Sequence, residues 1–442
     1  MNRQRLPPHY QQQQQLQNNH VQFPNPNQAK GGFHENSNRL IRCVKDREKT
    51  LRKKLDSKKL TSIADLKVDR WFLTRFSIGT PYTGLQEEFA SLETGVSQWT
   101  QASRVNSYIT TPLGINAYRQ LKVVRILSPN HTIKIEEENR LVYHEFQINA
   151  QKIGPLFGRE YIASEGPTTS SVYDFWTLVW QEDIGRVLSV NFPYEERLYP
   201  SVYDQAKETI QYWPIVAGET MIFKPFHITC IESTMKVAPF VEAVTPREMV
   251  YRVTRLRLFY QNPVFPDQPT RDVLHFCYYR WPDGRLPIPW SNSDRYSEAG
   301  LSLFDAVNFE LIVTMPPEQS LLVHCHAGLG RTGVFIAVDV AIRQLEQMQT
   351  VGIARIVEKV RETRARSVMN PWQYTYINLL VAEKALQLGI LPPNIGGYSS
   401  RVLIDRVWQE INDELNRQFS PAQMVALPTL PKQQEDGPSG SK

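Results

Sequence analysis

Residues 320–344 constrain the fold more than any other part of the chain. Ser320 to Cys325 is predicted as a buried strand, His326 to Gly330 as a loop with two glycines, and Arg331 to Gln344 as an apolar helix. A strand that turns through a glycine loop into a helix is typical of domains in which helices cover a mixed sheet. The loop N–H groups and the positive end of the helix dipole then face one point, which suits an anion such as phosphate.

The side chains around this loop favour nucleophilic chemistry. Cys325 lies at the mouth of the loop, where the positive field favours the thiolate, the reactive form of cysteine. Arg331 can reach back with a planar fork to two oxygens of a bound anion. Thr332 is predicted to donate its hydroxyl to the sulfur. The loop residues expected to line the anion site are His326, Ala327, Gly328, Leu329 and Gly330.

A nucleotide-binding loop and a metal centre fit this segment less well. The Walker pattern requires a lysine that is absent here. His324, Cys325 and His326 are consecutive, so their side chains do not readily converge on one tetrahedral ion. We therefore expect no metal and no cofactor.

The segment VHCHAGLGRTG (residues 323–333) is similar to the C-x5-R-[ST] loop of the protein tyrosine phosphatase family, in its classical, non-receptor-like form. The likeness extends over about residues 66–390. It includes FQINA (146–150), YIASEGP (161–167), the FW and VW pairs within 175–180, and QYWP (211–214). The resemblance implies an α/β fold, a single phosphatase domain with a central twisted mixed sheet flanked by helices.

Cleavage of an aryl phosphate also needs a proton for the departing oxygen, which a carboxylic acid on a mobile loop can supply. Residues 281–284 (WPDG) follow a predicted strand and resemble the WPD loop of the family. The resemblance makes Asp283 the general acid, and later the base toward water, with Trp281 as a packing hinge. It also implies a supporting role for His324 and a substrate-binding role for Gln373.

Several positions depart from the family pattern. Val124 and Ile126 occupy the places of a tyrosine that stacks on the substrate ring and an aspartate that holds the substrate backbone. His326 replaces a small serine. Met369 stands where a glutamine positions the hydrolytic water, while Gln373 keeps the second glutamine of that loop. These departures predict weaker peptide recognition and slow hydrolysis of the intermediate.

Two functional hypotheses follow from the resemblance and its departures. The first is a protein tyrosine phosphatase that hydrolyses phosphotyrosyl proteins through a cysteinyl-phosphate intermediate, with turnover reduced by Val124, Ile126 and Met369. The alternative is a low-turnover or pseudo-phosphatase that acts as a phosphoprotein-binding scaffold. A monomer is expected in either case.

Composition divides the chain into five predicted segments. Residues 1–38 form a Gln/Asn/Pro-rich tail with too few apolar residues to become ordered. A basic linker (39–60) leads into the phosphatase domain (61–392). An amphipathic stretch (393–420) is predicted as a C-terminal helix, and residues 421–442 as a second disordered tail.

Within the domain, the apolar periodicity predicts strands and helices in mixed order. Helical spacing runs from Leu66 to Leu92. Strands are predicted for RVLSVNF (186–192), MIFKPFHITCI (221–231), MVYRVTRLRLFY (249–260) and DVLHFCYYR (272–280). Helices are predicted for SSVYDFWTLVWQ (170–181), LSLFDAVNFELIVTM (301–315), VGIARIVEKVRET (351–363) and WQYTYINLLVAEKAL (372–386).

The formal charge of +5 is uneven, with about +9 on residues 1–60 and about −4 on the remainder. The basic stretch 39–59 suits an acidic partner, an acidic membrane surface or nucleic acid, and equally a solvated linker helix.

The cysteines and the apolar runs bear on the cellular compartment. Four cysteines (Cys43, Cys230, Cys277 and Cys325) are too few and too scattered for a disulfide framework. No apolar run reaches the roughly eighteen residues that a membrane span needs. The sequence therefore predicts no transmembrane segment and a cytoplasmic protein, with the nucleus as an alternative.

Overall fold

The computed structural model describes residues 65–77, 79–103, 122–126, 143–195, 208–236, 251–261, 270–287 and 296–418. The chain divides into two units, residues 1–62 and 63–442, and every described residue belongs to the second. The predicted tails, the basic linker and Cys43 lie outside the described residues.

Eight of the fourteen strands in the described part of the chain form one mixed sheet. The strands in chain order are β1 (Leu66–Lys67), β2 (Lys122–Ile126), β3 (Tyr143–Gln147), β4 (Ala150–Leu156), β5 (Arg159–Glu165), β6 (Arg186–Ser189), β7 (Thr220–Phe223), β8 (Phe226–Lys236), β9 (Tyr251–Tyr260), β10 (Thr270–Tyr278), β11 (Leu321–Cys325), β12 (Thr350–Val351), β13 (Asn394–Ile395) and β14 (Tyr398–Ser399). The order in the sheet is β4-β5-β11-β6-β10-β9-β8-β7. The four strands β5, β11, β6 and β10 pair in parallel and the outer strands are antiparallel, which confirms the predicted α/β class.

Helices flank this sheet. They are α1 (Val68–Phe76), α2 (Pro81–Ser103), α3 (Val172–Gln181), α4 (Tyr296–Val307), a π-helix (Asn308–Ile312), α5 (Gly330–Met348), α6 (Ile353–Thr363), α7 (Pro371–Gln387) and α8 (Ser400–Gln418). The helical spacing between Leu66 and Leu92 is divided between α1 and α2, because Pro81 is suited to begin a helix but not to continue one.

Two predicted elements differ from the observed ones. The segment 221–231 was expected to be one strand but belongs to the hairpin β7–β8, which turns at Lys224 and Pro225. Proline has no N–H to donate to a strand ladder, so it ends the first strand. The segment 301–315 lies partly in α4 and then widens into the π-helix at Asn308–Ile312.

The central strand β11 is buried on both faces. Leu321 and Val323 join the apolar core that includes α5, α6 and α7, whereas Leu322 joins the core that includes α3. Alternate side chains of a strand point to opposite faces, so helices and loops must cover both sides of this strand. β11 is the third of the eight strands, so its end at Cys325 lies inside the sheet and not at an edge strand.

Among the described residues, no helix is both long and apolar enough to cross a membrane. The same part of the chain contains no group of three or more His, Cys, Asp or Glu side chains arranged to hold a metal ion.

Candidate active site

The carboxyl ends of four parallel strands meet at one edge of the sheet. β11 ends at Cys325, and its neighbours β5 and β6 end at Glu165 and Ser189. Beside β6, β10 ends at Tyr278 and leads into the 281–284 turn. Ligands of open α/β sheets bind outside the carboxyl ends of the strands. The topology thus brings together the predicted cysteine loop (residues 326–330) and the turn 281–284 that contains Asp283, which we call the acid loop.

Hydrogen bonds hold the carbonyl groups of residues 326–328, in the loop after β11, so that they point outward. His326 O accepts a hydrogen bond from Gly166 N at 2.9 Å. The buried Arg364 donates from Nη2 to Ala327 O at 2.9 Å and from Nε to Gly328 O at 2.5 Å. Because these carbonyls point away from the centre of the loop, its N–H groups are turned toward the centre.

The N–H groups of residues 327–330 donate to no other described residue. Gly328 has a φ of +66°, and a Cβ at this position would collide with Ser164 O, so glycine is required for this path. Helix α5 begins at Gly330 and adds the positive potential of its dipole. The loop has the form of a backbone nest that binds anions.

The guanidinium of Arg331 is fully buried, and its hydrogen bonds lie on one side only. Its Nη1 donates to Glu195 Oε2 at 2.6 Å and to Trp281 O at 2.7 Å. Its Nε and Nη2 are buried without a hydrogen-bond partner among the described residues. These two donors form the parallel edge with which arginine binds two oxygens of a phosphate.

Asp283 lies close to that open edge. Its Oδ1 is 3.0 Å from Arg331 Nη2, an ion-pair distance outside hydrogen-bond geometry, and its side chain is 53% exposed. Water therefore screens this pair. Burial lowers the pKa of Arg331, but the negative charges of Glu195, Asp283 and Cys325 raise this pKa by more, so the guanidinium stays charged.

Glu195 joins the guanidinium to the acid loop. Its carboxylate is almost fully buried, and besides Arg331 it accepts a hydrogen bond from Asp283 N at 2.9 Å. A single carboxylate thus positions both the guanidinium and the backbone of the residue predicted to be the general acid.

The 281–284 turn is also closed internally. The Trp281 ring is buried, donates from Nε1 to Arg285 O at 2.8 Å and packs edge-on against Tyr376. Gly284 has a φ of +67°, and its carbonyl points toward the start of α7. The tryptophan anchors the turn, while the Asp283 carboxylate stays at its exposed side.

Met369 and Gln373 lie beside the start of α5. A Cβ built on Gly330 would lie 3.0 Å from Gln373 Nε2 and 3.3 Å from Met369 Sδ. Gln373 Oε1 accepts from Met369 N at 2.9 Å, so the amide turns Nε2 toward the loop, where it has no hydrogen-bond partner among the described residues. One side chain therefore offers a donor, and the other a thioether, which is a weak acceptor.

The predicted hydrogen bond from Thr332 to the Cys325 sulfur is not formed in this structure. Thr332 Oγ1 is buried and has no hydrogen-bond partner among the described residues. His326 Nδ1 lies 3.5 Å from Thr209 Oγ1.

Val124 and Ile126 lie on β2, in register with Glu145 and Tyr143 of β3. Their side chains lie outside the described structure, so the predicted loss of substrate contacts at these positions stays a prediction.

A chain of three buried rings lies behind Cys325. Tyr212 OH is 2.5 Å from His324 Nε2 and 2.6 Å from His275 Nε2. Since His324 Nδ1 lies 3.4 Å from Cys325 O, we assign the proton to that nitrogen, so Nε2 accepts from Tyr212. His275 then donates to Tyr212, and both imidazoles are neutral. Burial lowers the pKa of His324 to about 3, aided by the Arg331 charge, and burial lowers the pKa of His275 well below its usual value.

We expect the free energy of unfolding to fall as the pH drops below about 6.5, because both imidazoles take up a proton only in the unfolded chain. Their folded pKa values are depressed, so their contribution is complete above the unfolded value and is lost on acidification, down to about pH 3 for His324. Each group contributes about 1.4 kcal/mol per pH unit in that range.

Urea unfolding at about pH 7 and about pH 5 measures this effect, and His275→Gln should lose about 2 kcal/mol less stability between them than the wild type. Equal losses in the two proteins would contradict a neutral, buried His275.

Two charged residues of this site carry no local sequence signal. Glu195 lies in an irregular stretch after β6, and Arg364 directly follows α6. Burial lowers the pKa of Arg364 to about 10, against the raising effects of Glu165 and Cys325. Both residues reach the site only because the fold brings distant segments of the chain together. A local sequence pattern carries no information about such contacts.

Sequence comparison with known proteins finds a family model and relatives that match the chain. The sequence model of the family described as Protein-tyrosine phosphatase matches residues 128–383, more than half of the chain. Tyrosine-protein phosphatase non-receptor type 7 of Mus musculus is 30% identical over 243 residues, which cover 54% of this chain and 57% of that protein. Tyrosine-protein phosphatase non-receptor type 9 of Rattus norvegicus is 26% identical over 235 residues, which cover 52% of this chain and 36% of that protein.

A solved structure of PTPN18 in complex with HER2-pY1248 phosphor-peptides aligns with a TM-score of 0.48 and 21% sequence identity, covering 68% of this chain and 99% of that chain. The match with the type 7 protein spans 57% of the length of that protein, which is little more than half of it.

The fold and the family match together define the class, a mixed-sheet domain in which a cysteine and an arginine flank the loop between β11 and α5. The chain belongs to the protein-tyrosine phosphatase family.

Proposed function

We propose that the protein hydrolyses phosphotyrosyl proteins through a cysteinyl-phosphate intermediate. In the first step the Cys325 thiolate attacks phosphorus, an S–P bond forms, the P–O bond to the tyrosine breaks, and Asp283 gives its proton to the departing oxygen. In the second step water attacks phosphorus and gives a proton to Asp283. The S–P bond then breaks, and inorganic phosphate and the thiolate are released.

One observation carries the proposal most strongly. The N–H groups of residues 327–330 and the Nε and Nη2 of Arg331 are donors without hydrogen-bond partners among the described residues, gathered where β11 meets α5. Donors fixed in advance around a transferring phosphoryl group stabilise the charge that develops in the transition state. Glu195 supports this arrangement, because it holds Nη1 and leaves the other edge of the guanidinium open.

The substrate class rests on the family. The matched relatives carry the name tyrosine-protein phosphatase, and a phenolic leaving group is the kind that a half-exposed acid such as Asp283 can protonate. A reducing compartment, the cytoplasm or the nucleus, suits a reaction that depends on a free thiolate. No observation favours the scaffold hypothesis over this one.

The second step is expected to be slow. Gln373 uses its oxygen on Met369 N and turns a donor toward the loop, while Met369 supplies only a thioether where an amide oxygen would orient the attacking water. The intermediate should therefore accumulate.

Rapid-mixing kinetics with an aryl phosphate test the function. We expect a burst of about one equivalent of phenol followed by slower steady release, which is the signature of an accumulating covalent intermediate. Met369→Gln should raise the steady rate about tenfold and leave the rate constant of the first step unchanged, because it restores an acceptor for the water of the second step. Cys325→Ser should abolish both phases. Phenol release that survives in Cys325→Ser would overturn the function, whereas release without a burst would overturn only the slow second step.

A further inference from the structure

We propose that Asn370 and Trp372 are positioning residues that hold the acid loop closed by a shared hydrogen bond to Gly284. Trp372 Nε1 donates to Gly284 O at 2.8 Å, and Asn370 Nδ2 donates to the same oxygen at 3.2 Å. This inference rests on the proposed function, because it assigns these residues a part in delivering the proton of Asp283.

We call the two hydrogen bonds from Asn370 and Trp372 to Gly284 O the latch, and the geometry of Gly284 suits it. Its φ of +67° marks the point at which the acid loop reverses direction, directly after Asp283. A carbonyl oxygen has two lone pairs and can accept both donors at once. The two bonds therefore fix the backbone next to the carboxyl group that must donate the proton.

The donors belong to a rigid part of the fold. Asn370 is the N-cap of α7, and its Oδ1 accepts from Gln373 N at 2.9 Å. Since a backbone N–H requires the amide oxygen, the orientation of the side chain is determined and Nδ2 faces Gly284. The first turn of α7 is firmly packed, with Gln373 and Tyr374 fully buried.

The latch contacts the acid loop outside the contacts already described. Glu195 holds Asp283 N and Arg331 holds Trp281 O, both from the side of the cysteine loop. Asn370 and Trp372 approach instead from α7, next to Met369. A loop that opens must break both sets of bonds, so the latch favours the closed position in which the acid is useful.

Two conservative variants remove one donor each. Trp372→Phe keeps an aromatic ring but loses the N–H, and Asn370→Asp keeps the capping oxygen but loses the amide donor. Each should slow phenol release from phenyl phosphate about fivefold in single-turnover kinetics, the worth of one hydrogen bond. With dinitrophenyl phosphate, whose leaving group needs little protonation, each should stay within about twofold of wild type. Trp71→Phe is the matched control, because Trp71 is a buried tryptophan on α1 whose Nε1 has no hydrogen-bond partner among the described residues.

A purely structural role predicts something else, namely equal losses on both substrates, and that result would overturn the proposal. A second test is independent of activity and measures hydrogen exchange of the Trp372 indole N–H, whose signal is identified by its absence in Trp372→Phe. In the wild type this N–H should exchange with solvent several times more slowly than an exposed indole. In Asn370→Asp it should exchange faster than in the wild type. Rapid exchange in the wild type would overturn the latch even in an active enzyme. If wild-type protein showed no phenol release dependent on Cys325, the proposed function would fail while the exchange result still decided the latch.

Discussion

Replacing Arg331 with lysine is expected to lower kcat/KM on phenyl phosphate about a thousandfold while the protein remains folded. Lysine keeps a positive charge next to Glu195, which is buried and lies 2.6 Å from Arg331 Nη1. It does not present two parallel donors, so the open edge formed by Nε and Nη2 is lost. The expected result is a loss in binding the transition state with little loss in folding.

The two effects are separated by a second substitution at the same position. Arg331→Met removes the charge and leaves Glu195 buried without its cation, which should lower the free energy of unfolding by about 3 to 5 kcal/mol. Arg331→Lys should lose clearly less stability than Arg331→Met in urea unfolding, because its ammonium can replace Nη1 beside Glu195 and keeps the buried carboxylate paired.

Arg343→Lys is the matched control for the same change on the same helix. Both Nε and Nη2 of Arg343 donate to Phe157 O, away from the loop, so its kcat/KM should change less than about twofold. Activity of Arg331→Lys within about tenfold of wild type would contradict a two-oxygen grip by this guanidinium.

The part of the site that is continuous in sequence was the easiest to predict. The strand, the glycine loop and the helix at 320–344 appear as β11, the 326–329 turn and α5, because their pattern records the burial of each residue directly. Residues 281–284 could be interpreted because they resemble the WPD loop of the family and because the chemistry at the cysteine loop needs a proton donor. The sheet then explains their proximity, since β10 and β11 both flank β6.

Contacts between distant segments could not be predicted from local sequence patterns. Glu195 reaches Arg331 only because β6 lies beside β11, and Arg364 reaches the loop carbonyls only because α6 ends beneath them. Periodicity reports which face of an element is buried but not which element buries it. Trp372 illustrates the same limit: helical spacing marks it as part of α7, whereas its bond to Gly284 O depends on the path of another loop.

Replacing Asp283 with asparagine is expected to slow phenol release from phenyl phosphate about a thousandfold and to leave release from dinitrophenyl phosphate within about tenfold of wild type. Phenol has a pKa near 10, like the tyrosine side chain, so its oxygen needs a proton as it departs, and a dinitrophenolate does not. Asparagine has nearly the shape of aspartate, and the bond from the backbone N of this residue to Glu195 Oε1 does not involve the side chain. The position of the loop should therefore be retained while the proton is lost.

The ion pair with Arg331 provides a further reason to expect this contrast. Asp283 Oδ1 lies 3.0 Å from Nη2 and is 53% exposed, so the pair contributes little to stability and its loss should not unfold the protein. Asp305→Asn is the matched control, because Asp305 is a similarly exposed carboxylate that pairs at 3.3 Å with Lys384, which lies in the last turn of α7, at the far end of that helix from the acid loop.

Single-turnover rates with both substrates, measured for wild type, Asp283→Asn and Asp305→Asn, complete the test. If Asp283→Asn slowed both substrates equally, the residue would act on the phosphoryl group or on folding rather than on the leaving oxygen, and the proton would have to come from another group. If the basic leaving group alone is affected, adding Trp372→Phe to Asp283→Asn should cause no further loss on it, because a latch for the acid has no effect once the acid is gone.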